Sequence, residues 1–312
     1  MKLNLLSTMT RVCRTLLFAT LALVSTGVLK AQSGTNFFNN TISGVNLGNA
    51  SGGSTLGHKS WAIFALSGGV TITDPTATYG DLTSYDVLGN VGLGGAGNLT
   101  MTASWIKGSI YRQNITQSVP AGPPFYTGTL TTDPTYVGGG VSDATAASNA
   151  AGSQGNTNLT NSMFTGAITS IPSTISLTGA AFITGAAATT YVLNLTDLML
   201  SGASAALTFN GTNTTNYIVN VSRFMTLSSG AKILLGGSGP NNITEANVLF
   251  NVKSSSPQYD VTLSGGSEVH GIILAKDRNV KLTGASKVVG EVIAKGVSLS
   301  GVSKVINPFV SP

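Results

Sequence analysis

Seventeen residues apart, the chain writes nearly the same line twice: Val280-Lys-Leu-Thr-Gly-Ala-Ser-Lys-Val-Val, then Val297-Ser-Leu-Ser-Gly-Val-Ser-Lys-Val-Ile. The motif apolar-x-Leu-Ser/Thr-Gly/Ser also begins at Ile175, Leu198, Met225 and Val261, with a weaker copy at Leu99. Measured between the leucines at 177, 200, 227, 263, 282 and 299, the spacings are 23, 27, 36, 19 and 17 residues. Six residues after each leucine stands Ile183, Ala206, Ile233, Val269, Val288 or Val305. A third apolar run, Ile272-Ile-Leu-Ala-Lys or Glu291-Val-Ile-Ala-Lys, follows in the last two complete copies.

In Val261-Thr-Leu-Ser, alternate side chains point to opposite sides of a strand, so Val261 and Leu263 turn inward and Thr262 and Ser264 outward. So short a strand cannot bury its apolar side alone. Stacking one unit on the next pairs the backbones and aligns the leucines inside, which is the logic of a solenoid. A unit of about 20 residues with three strands predicts one coil of a triangular, right-handed β-helix. The expected fold is therefore all-β, with irregular N-terminal coils. Residues 61–312 form one solenoid domain in this reading, with an insertion loop and a short flanking helix around 113–152. The loop is placed by prolines 120, 123, 124 and 134, and the helix by Val141–Gly152, with Ser142 or Asp143 as its cap and Gly152 as its end.

Composition supports an ordered chain: only 9% of residues are charged and 42% are apolar, unlike a disordered segment. Lys2, Arg11 and Arg14 precede an apolar run from Leu16 to Leu29, a pattern that predicts a secretory signal peptide over residues 1–31. The run is shorter than the roughly 18–20 apolar residues of a membrane span, so no span is expected after cleavage. Residues 32–60 read as an exposed lead-in. Loss of the leader removes Lys2, Arg11, Arg14 and Lys30, leaving 12 basic against 11 acidic residues. A basic footprint for nucleic acid disappears with it. The one cysteine, Cys13, goes too, so no disulfide or thiol chemistry is expected of the secreted chain.

The stretch from Asn247 to Phe309 resembles the closing coils of secreted microbial β-solenoid adhesin-like domains, namely choice-of-anchor type surface proteins and related ice-binding-protein-like domains. The resemblance is carried by Gly271-Ile-Ile-Leu-Ala-Lys and Gly290-Glu-Val-Ile-Ala-Lys. Tyr85–Tyr111 is similar to the opening coils, and Asp143–Ala151 to a flanking helix. The resemblance extends from about Trp61 to Pro308. It implies an extracellular right-handed β-helix with adhesive or ice-binding roles, no catalytic centre and no cofactor. No sorting motif follows Phe309, so no cell-wall anchor is expected there.

Three functions follow as expectations. The first is a secreted, non-enzymatic adhesin that meets cell-surface or matrix glycans or proteins through broad Ser/Thr/Asn faces. The second is ice binding on the same scaffold, with Thr71, Thr73, Thr100, Thr102, Thr226 and Thr262 as outward candidates; Lys281 in the Thr262 column interrupts that face. The third is a polysaccharide-active enzyme, which needs two carboxylates across a cleft; the 11 acids look scattered, with Asp81 and Asp86 nearest. Glu268 and His270 share a strand face, but nothing completes a catalytic or metal-binding set around them. Lys276, Arg278, Lys281, Lys287, Lys295 and Lys304 concentrate positive charge near the C-terminus, partly offset by Glu291. They read either as edge-protecting charges on the last coils or as a patch for an acidic polysaccharide.

Overall fold

A computed structural model describes residues 61–74, 85–121, 125–237, 241–253 and 256–308. The expected leader, the lead-in and Asp81 lie outside the described residues. The described residues form a β-helix with three faces, here named A, B and C, and one α-helix lying along face C.

Face A is built from the repeat. The strands Ile175–Leu177, Leu198–Ser201, Met225–Ser228 and Val261–Leu263 stack in parallel, followed by the ends of the long strands Glu268–Leu282 and Lys287–Ser300. Their leucines form an internal ladder through Leu177, Leu200, Leu227, Leu263, Leu282 and Leu299, all nearly inaccessible to water. Each such burial is worth about 1.5–3 kcal/mol. The stack then continues in an order that the sequence order does not foreshadow. Val70–Thr73 pairs on Val297–Ser300, and Leu99–Thr102 pairs on Val70–Thr73, so Ile72 and Met101 extend the ladder beyond Leu299.

The N-terminal coils thus dock on the C-terminal one. The same seam recurs on face C, where Ile63, Phe64 and Ala65 pair with Val292, Ile293 and Ala294, and on face B, where Val305 and Ile306 pair with Val87 and Leu88. The last coils are therefore interior to the stack, and their lysines guard no open edge. The segment expected as an insertion loop also joins the stack. Ser118, Phe125 and Thr129 carbonyls accept from the Leu99, Ile106 and Ile110 amides, and Leu130–Thr132 pairs on Ile110–Arg112.

The repeated glycine has a local cause. At the corner from face A to face B, Gly265, Gly284 and Gly301 adopt φ of +62°, +62° and +61°, a region costly for side-chain-bearing residues. A Cβ on Gly284 or Gly301 would also crowd the backbone nitrogen of the preceding coil. The turn is closed by a buried serine, whose hydroxyl donates to the carbonyl three residues back: Ser267 to Ser264 (2.6 Å), Ser286 to Thr283 (2.7 Å) and Ser303 to Ser300 (2.8 Å).

Inward residues of face B run Ala181, Leu207, Ile233, Val269, Val288, Val305, Val87 and Ile106. The six-residue offset from the leucine holds in the last four copies and drifts in the first two. Ala206 is half-exposed, Leu207 takes its place, and Ile183 aligns with Phe209 instead. The corner from Leu177 to Ala181 is shorter than in the later copies, and that from Leu200 to Leu207 is one residue longer.

Face C is buried on both sides, so its strands Trp61–Ala65 and Val248–Val252 lack polar alternation. Its outer layer carries α1, Pro134–Ser153. Asp133 caps α1 by accepting from the Tyr136 amide (2.9 Å), and Pro134 occupies the first turn. The helix thus begins seven residues before the expected Val141, and neither Ser142 nor Asp143 caps it. Gly138–Gly140 are poor helix formers, but packing overrides propensity there. Val137, Gly140, Ala144, Ala147, Ser148 and Ala151 form one buried stripe against Val192, Ile218, Leu249 and Ile272.

The path of the chain explains the helix. Among the described residues, face C has nine strands, hence eight spacings of about 4.8 Å, or about 38 Å. The chain leaves one end at Thr132 and resumes at the other with Thr157, which bridges to Val192. A helix of 20 residues covers about 30 Å of that distance. Its C-terminal carbonyls are met by an asparagine ladder. Asn220 donates to Ala151 (2.8 Å), Asn251 to Ser148 (3.1 Å) and Asn194 to Gln154 (3.0 Å), while Lys253 donates to Gly152 (2.8 Å).

Candidate ligand-binding face

Of the three faces, C is covered by α1. Face B is open but heterogeneous. Its outward column runs Ala180, Ala206, Lys232, Glu268, Lys287 and Lys304 in register. Lys287 and Lys304 therefore stack as the repeat predicts, with Glu268 beside them and ion-paired to Lys287 at 2.7 Å. His270 lies between two carboxylates, with Nδ1 at 2.8 Å from Glu245 and Nε2 at 2.9 Å from Glu268. Burial works against its charge, but these two partners outweigh it and hold the imidazole above its ordinary pKa. The carboxylates sit on opposite ring nitrogens and do not converge on a common point. The arrangement ties Glu245, beyond the strand Lys232–Gly236, to the solenoid.

Face A gathers all six threonines singled out in the sequence. One outward column reads Ser176, Met199, Thr226, Thr262, Lys281, Ser298, Thr71 and Thr100. A second column places Ser201 beside Ser228, and Ser300 beside Thr73 and Thr102. At the seam, three adjacent strands therefore present six hydroxyls in a two-by-three array: Ser298 and Ser300, Thr71 and Thr73, Thr100 and Thr102. The four threonines of this array are exposed. Strands lie about 4.8 Å apart and same-face residues along a strand about 6.6–6.8 Å apart.

The column has two departures from hydroxyl character. Lys281 is drawn to Asp260 at 2.9 Å. Burial would raise the Asp260 carboxyl, but Lys281 and Asn279 outweigh it and hold it below the usual carboxylate range. Further along, Met199 and Phe224 line a shallow hollow of about 470 Å³ with Ser176, Ser201, Thr226 and Ser228. Phe224 is held edge-on to Tyr259 (4.7 Å between centroids), and Arg223 lies over it while pairing with Asp197 at 2.6 Å.

The six basic residues do not assemble into one patch. Lys281 belongs to face A, Lys287 and Lys304 to face B, and Lys276 and Lys295 to the corner between faces C and A. Arg278 is buried at 1% exposure, where its guanidinium donates to the carbonyls of Ser222, Arg223 and Tyr259. It is a staple across the coils. Nor does Glu291 offset the lysines. It is 1% exposed, stands beside the aliphatic Ile272 in its column, and burial pushes its carboxyl well above the usual carboxylate range.

Sequence reasoning also missed a carboxyl pair. Asp74 and Asp86, 5% and 1% exposed, meet at the corner between faces A and B. The Asp86 carboxylate accepts from the Trp105 amide (2.8 Å) and shares a hydrogen bond with Asp74. Burial foremost, then Asp74, raises Asp86 to about 7 against the pull of the Trp105 amide and Lys304. Both acids are buried in the wall of the solenoid. The folded protein holds this proton more tightly than the unfolded chain, whose aspartate titrates near 3.8. The stability linked to it is full below about pH 4 and declines as pH rises to about 7. Asp86→Asn keeps an acceptor for Trp105 and removes the decline. The melting-temperature difference, variant minus parent, is expected to grow between pH 4 and 7 and then level off. A constant difference would contradict the assignment.

Among the described residues, no helix is long and apolar enough to cross a membrane, and no three ligating side chains form a metal-sized group. No curated protein matches the sequence. In fold, the chain is similar to an ice-binding protein from an Arctic yeast (TM-score 0.51, 20% identity, 81% of this chain and 93% of that one). It is likewise similar to an ice-binding protein from an Antarctic biological consortium (TM-score 0.51, 17% identity, 86% and 94%). A family model described as "Putative Ice-binding-like adhesive domain" matches residues 19–304. With coils, helix and repeat all accounted for over that span, the chain belongs to the ice-binding-like adhesive domain family.

Proposed function

We propose that the protein is a secreted, non-enzymatic binding module whose contact surface is face A, and that ice is the ligand this face fits best. The observation that supports this reading is the two-by-three hydroxyl array at the seam. A rigid solenoid holds these hydroxyls at fixed repeats of the same order as the oxygen spacings of crystalline water. Waters bound to them would be ordered before contact, so little further ordering would be needed at the ice surface. Each contact is weak, but many engage together, and the array as a whole would bind effectively irreversibly. The family description and the ice-binding titles of the fold neighbours agree with the reading. The predicted leader supports export.

The test is ice-recrystallisation inhibition and thermal hysteresis of residues 32–312. The expected result is slowed grain growth with faceted crystals. Grain growth identical to that of an inert protein at equal concentration would remove ice as the ligand. A second reading, adhesion to cell-surface or matrix glycans or proteins, is favoured by the interruption of the hydroxyl column at Lys281 and by the apolar hollow at Met199 and Phe224. It requires saturable retention on a cell envelope or glycan surface.

A further inference from the structure

We infer that the hollow beside the C-terminal end of α1 is a binding site for a single acidic sugar unit, a uronic acid carried by an extracellular polysaccharide. It is independent of face A. The hollow holds about 270 Å³, at the small end of ligand pockets, which suits one pyranose ring rather than a chain lying flat. Its walls include Gln154, Ser173, Asn194, Thr196, Ser222 and Lys253. Hydroxyls and carboxamides of this kind both donate and accept, as sugar hydroxyls require.

Charge narrows the class. Among the described residues, Lys253 is the only charged side chain lining the hollow. It spends one of its three N–H groups on the Gly152 carbonyl (2.8 Å) and keeps two for a ligand. It also lines a neighbouring hollow of about 360 Å³, where Lys276 adds a second ammonium that is itself ion-paired with Asp277. Two features would oppose an anion, and both are neutralised. The C-terminal end of α1 carries the negative pole of its dipole, but its last carbonyls are already taken by Asn220, Asn251, Asn194 and Lys253. Asp197, one residue beyond Thr196, is paired with Arg223 at 2.6 Å.

The site is also preorganised. The Asn194 carboxamide is fixed by donation to the Gln154 carbonyl (3.0 Å) and by accepting from Asn220 (2.9 Å), which in turn accepts from Asn251 (2.7 Å). Binding therefore needs little side-chain ordering. The asparagine ladder has a use beyond closing the helix: it holds the floor of the hollow.

The experiment is an amide-shift titration of residues 32–312 with galacturonic acid and, separately, galactose. Galacturonate is expected to give saturable shifts at the amides of residues 154, 173, 194–196, 222 and 253, with galactose at least tenfold weaker. Lys253→Met should weaken galacturonate about tenfold, the loss of one charge-assisted contact. Should that variant fail to fold, Thr196→Tyr fills the hollow from an exposed position and must abolish the shifts. Shifts that do not saturate or lie elsewhere, equal binding of galactose, or full affinity in a folded Lys253→Met or Thr196→Tyr variant would each overturn the site.

Discussion

Leu299→Ala will lower the unfolding free energy by about 3 kcal/mol, the usual cost of emptying a leucine site that cannot collapse. Leu299 is 1% exposed and stands in the ladder between Leu282 and Ile72. Its neighbours on both sides are held by backbone pairing, so the cavity persists and the lost contacts are not replaced. The position is also the seam where N-terminal coils dock on the C-terminal one. Leu130→Ala, on the outermost strand of face C and 36% exposed, should cost less than about 1 kcal/mol, because little area is withdrawn from contact. Denaturant melts of the two variants give the comparison. Equal, small effects would mean that residue 299 does not sit inside a continuous core.

The largest functional effect is expected from Thr71→Tyr combined with Thr100→Tyr. Both threonines are outward and exposed, in adjacent strands of the array. Two phenol rings would stand above the plane and hold any flat lattice away from Thr73, Thr102, Ser298 and Ser300. Inhibition of ice recrystallisation should be lost, while aromatic pairing across strands leaves the melting temperature within a few degrees. Thr71→Ser with Thr100→Ser keeps the hydroxyls and should keep most of the activity. Lys287→Tyr on face B should change nothing. Undiminished inhibition in the double tyrosine variant would move the contact surface off face A.

Much of this architecture is legible in the sequence because it repeats. The leucine ladder, the outward threonines of face A and the stacking of Lys287 on Lys304 follow from periods of two residues or of one coil, and the flanking helix from its cap-type residues and terminal glycine. What resists reading is long-range and unrepeated. Nothing local says that Thr71 will lie beside Ser298, since any parallel strand of similar pattern satisfies Val70–Thr73 equally well; the choice is made by the whole seam. Arg278 and Glu291 look like surface charges because side-chain identity alone does not reveal a corner or a helix lying over it. The start of α1 is obscured by Gly138–Gly140, whose low propensity is overridden by close packing against face C. Asp74 and Asp86 are twelve residues apart, a separation that carries no carboxylate-pair signal in the sequence, yet they meet in the fold. The candidate binding face was visible as single threonines, but its array was not.

The stacking order is what every assignment here requires, and spin labels at Thr71→Cys and Ser298→Cys test it directly. Both positions are on the surface, and Cys13 falls within the expected leader, so the labels are unique in residues 32–312. Register partners on neighbouring strands place the two backbones about 4.8 Å apart, giving strong dipolar broadening. A solenoid wound in sequence order would separate them by seven strand spacings, about 34 Å. Broadened spectra are the predicted result; a distance distribution centred near the longer value would contradict the seam, the hydroxyl array and the function built on it.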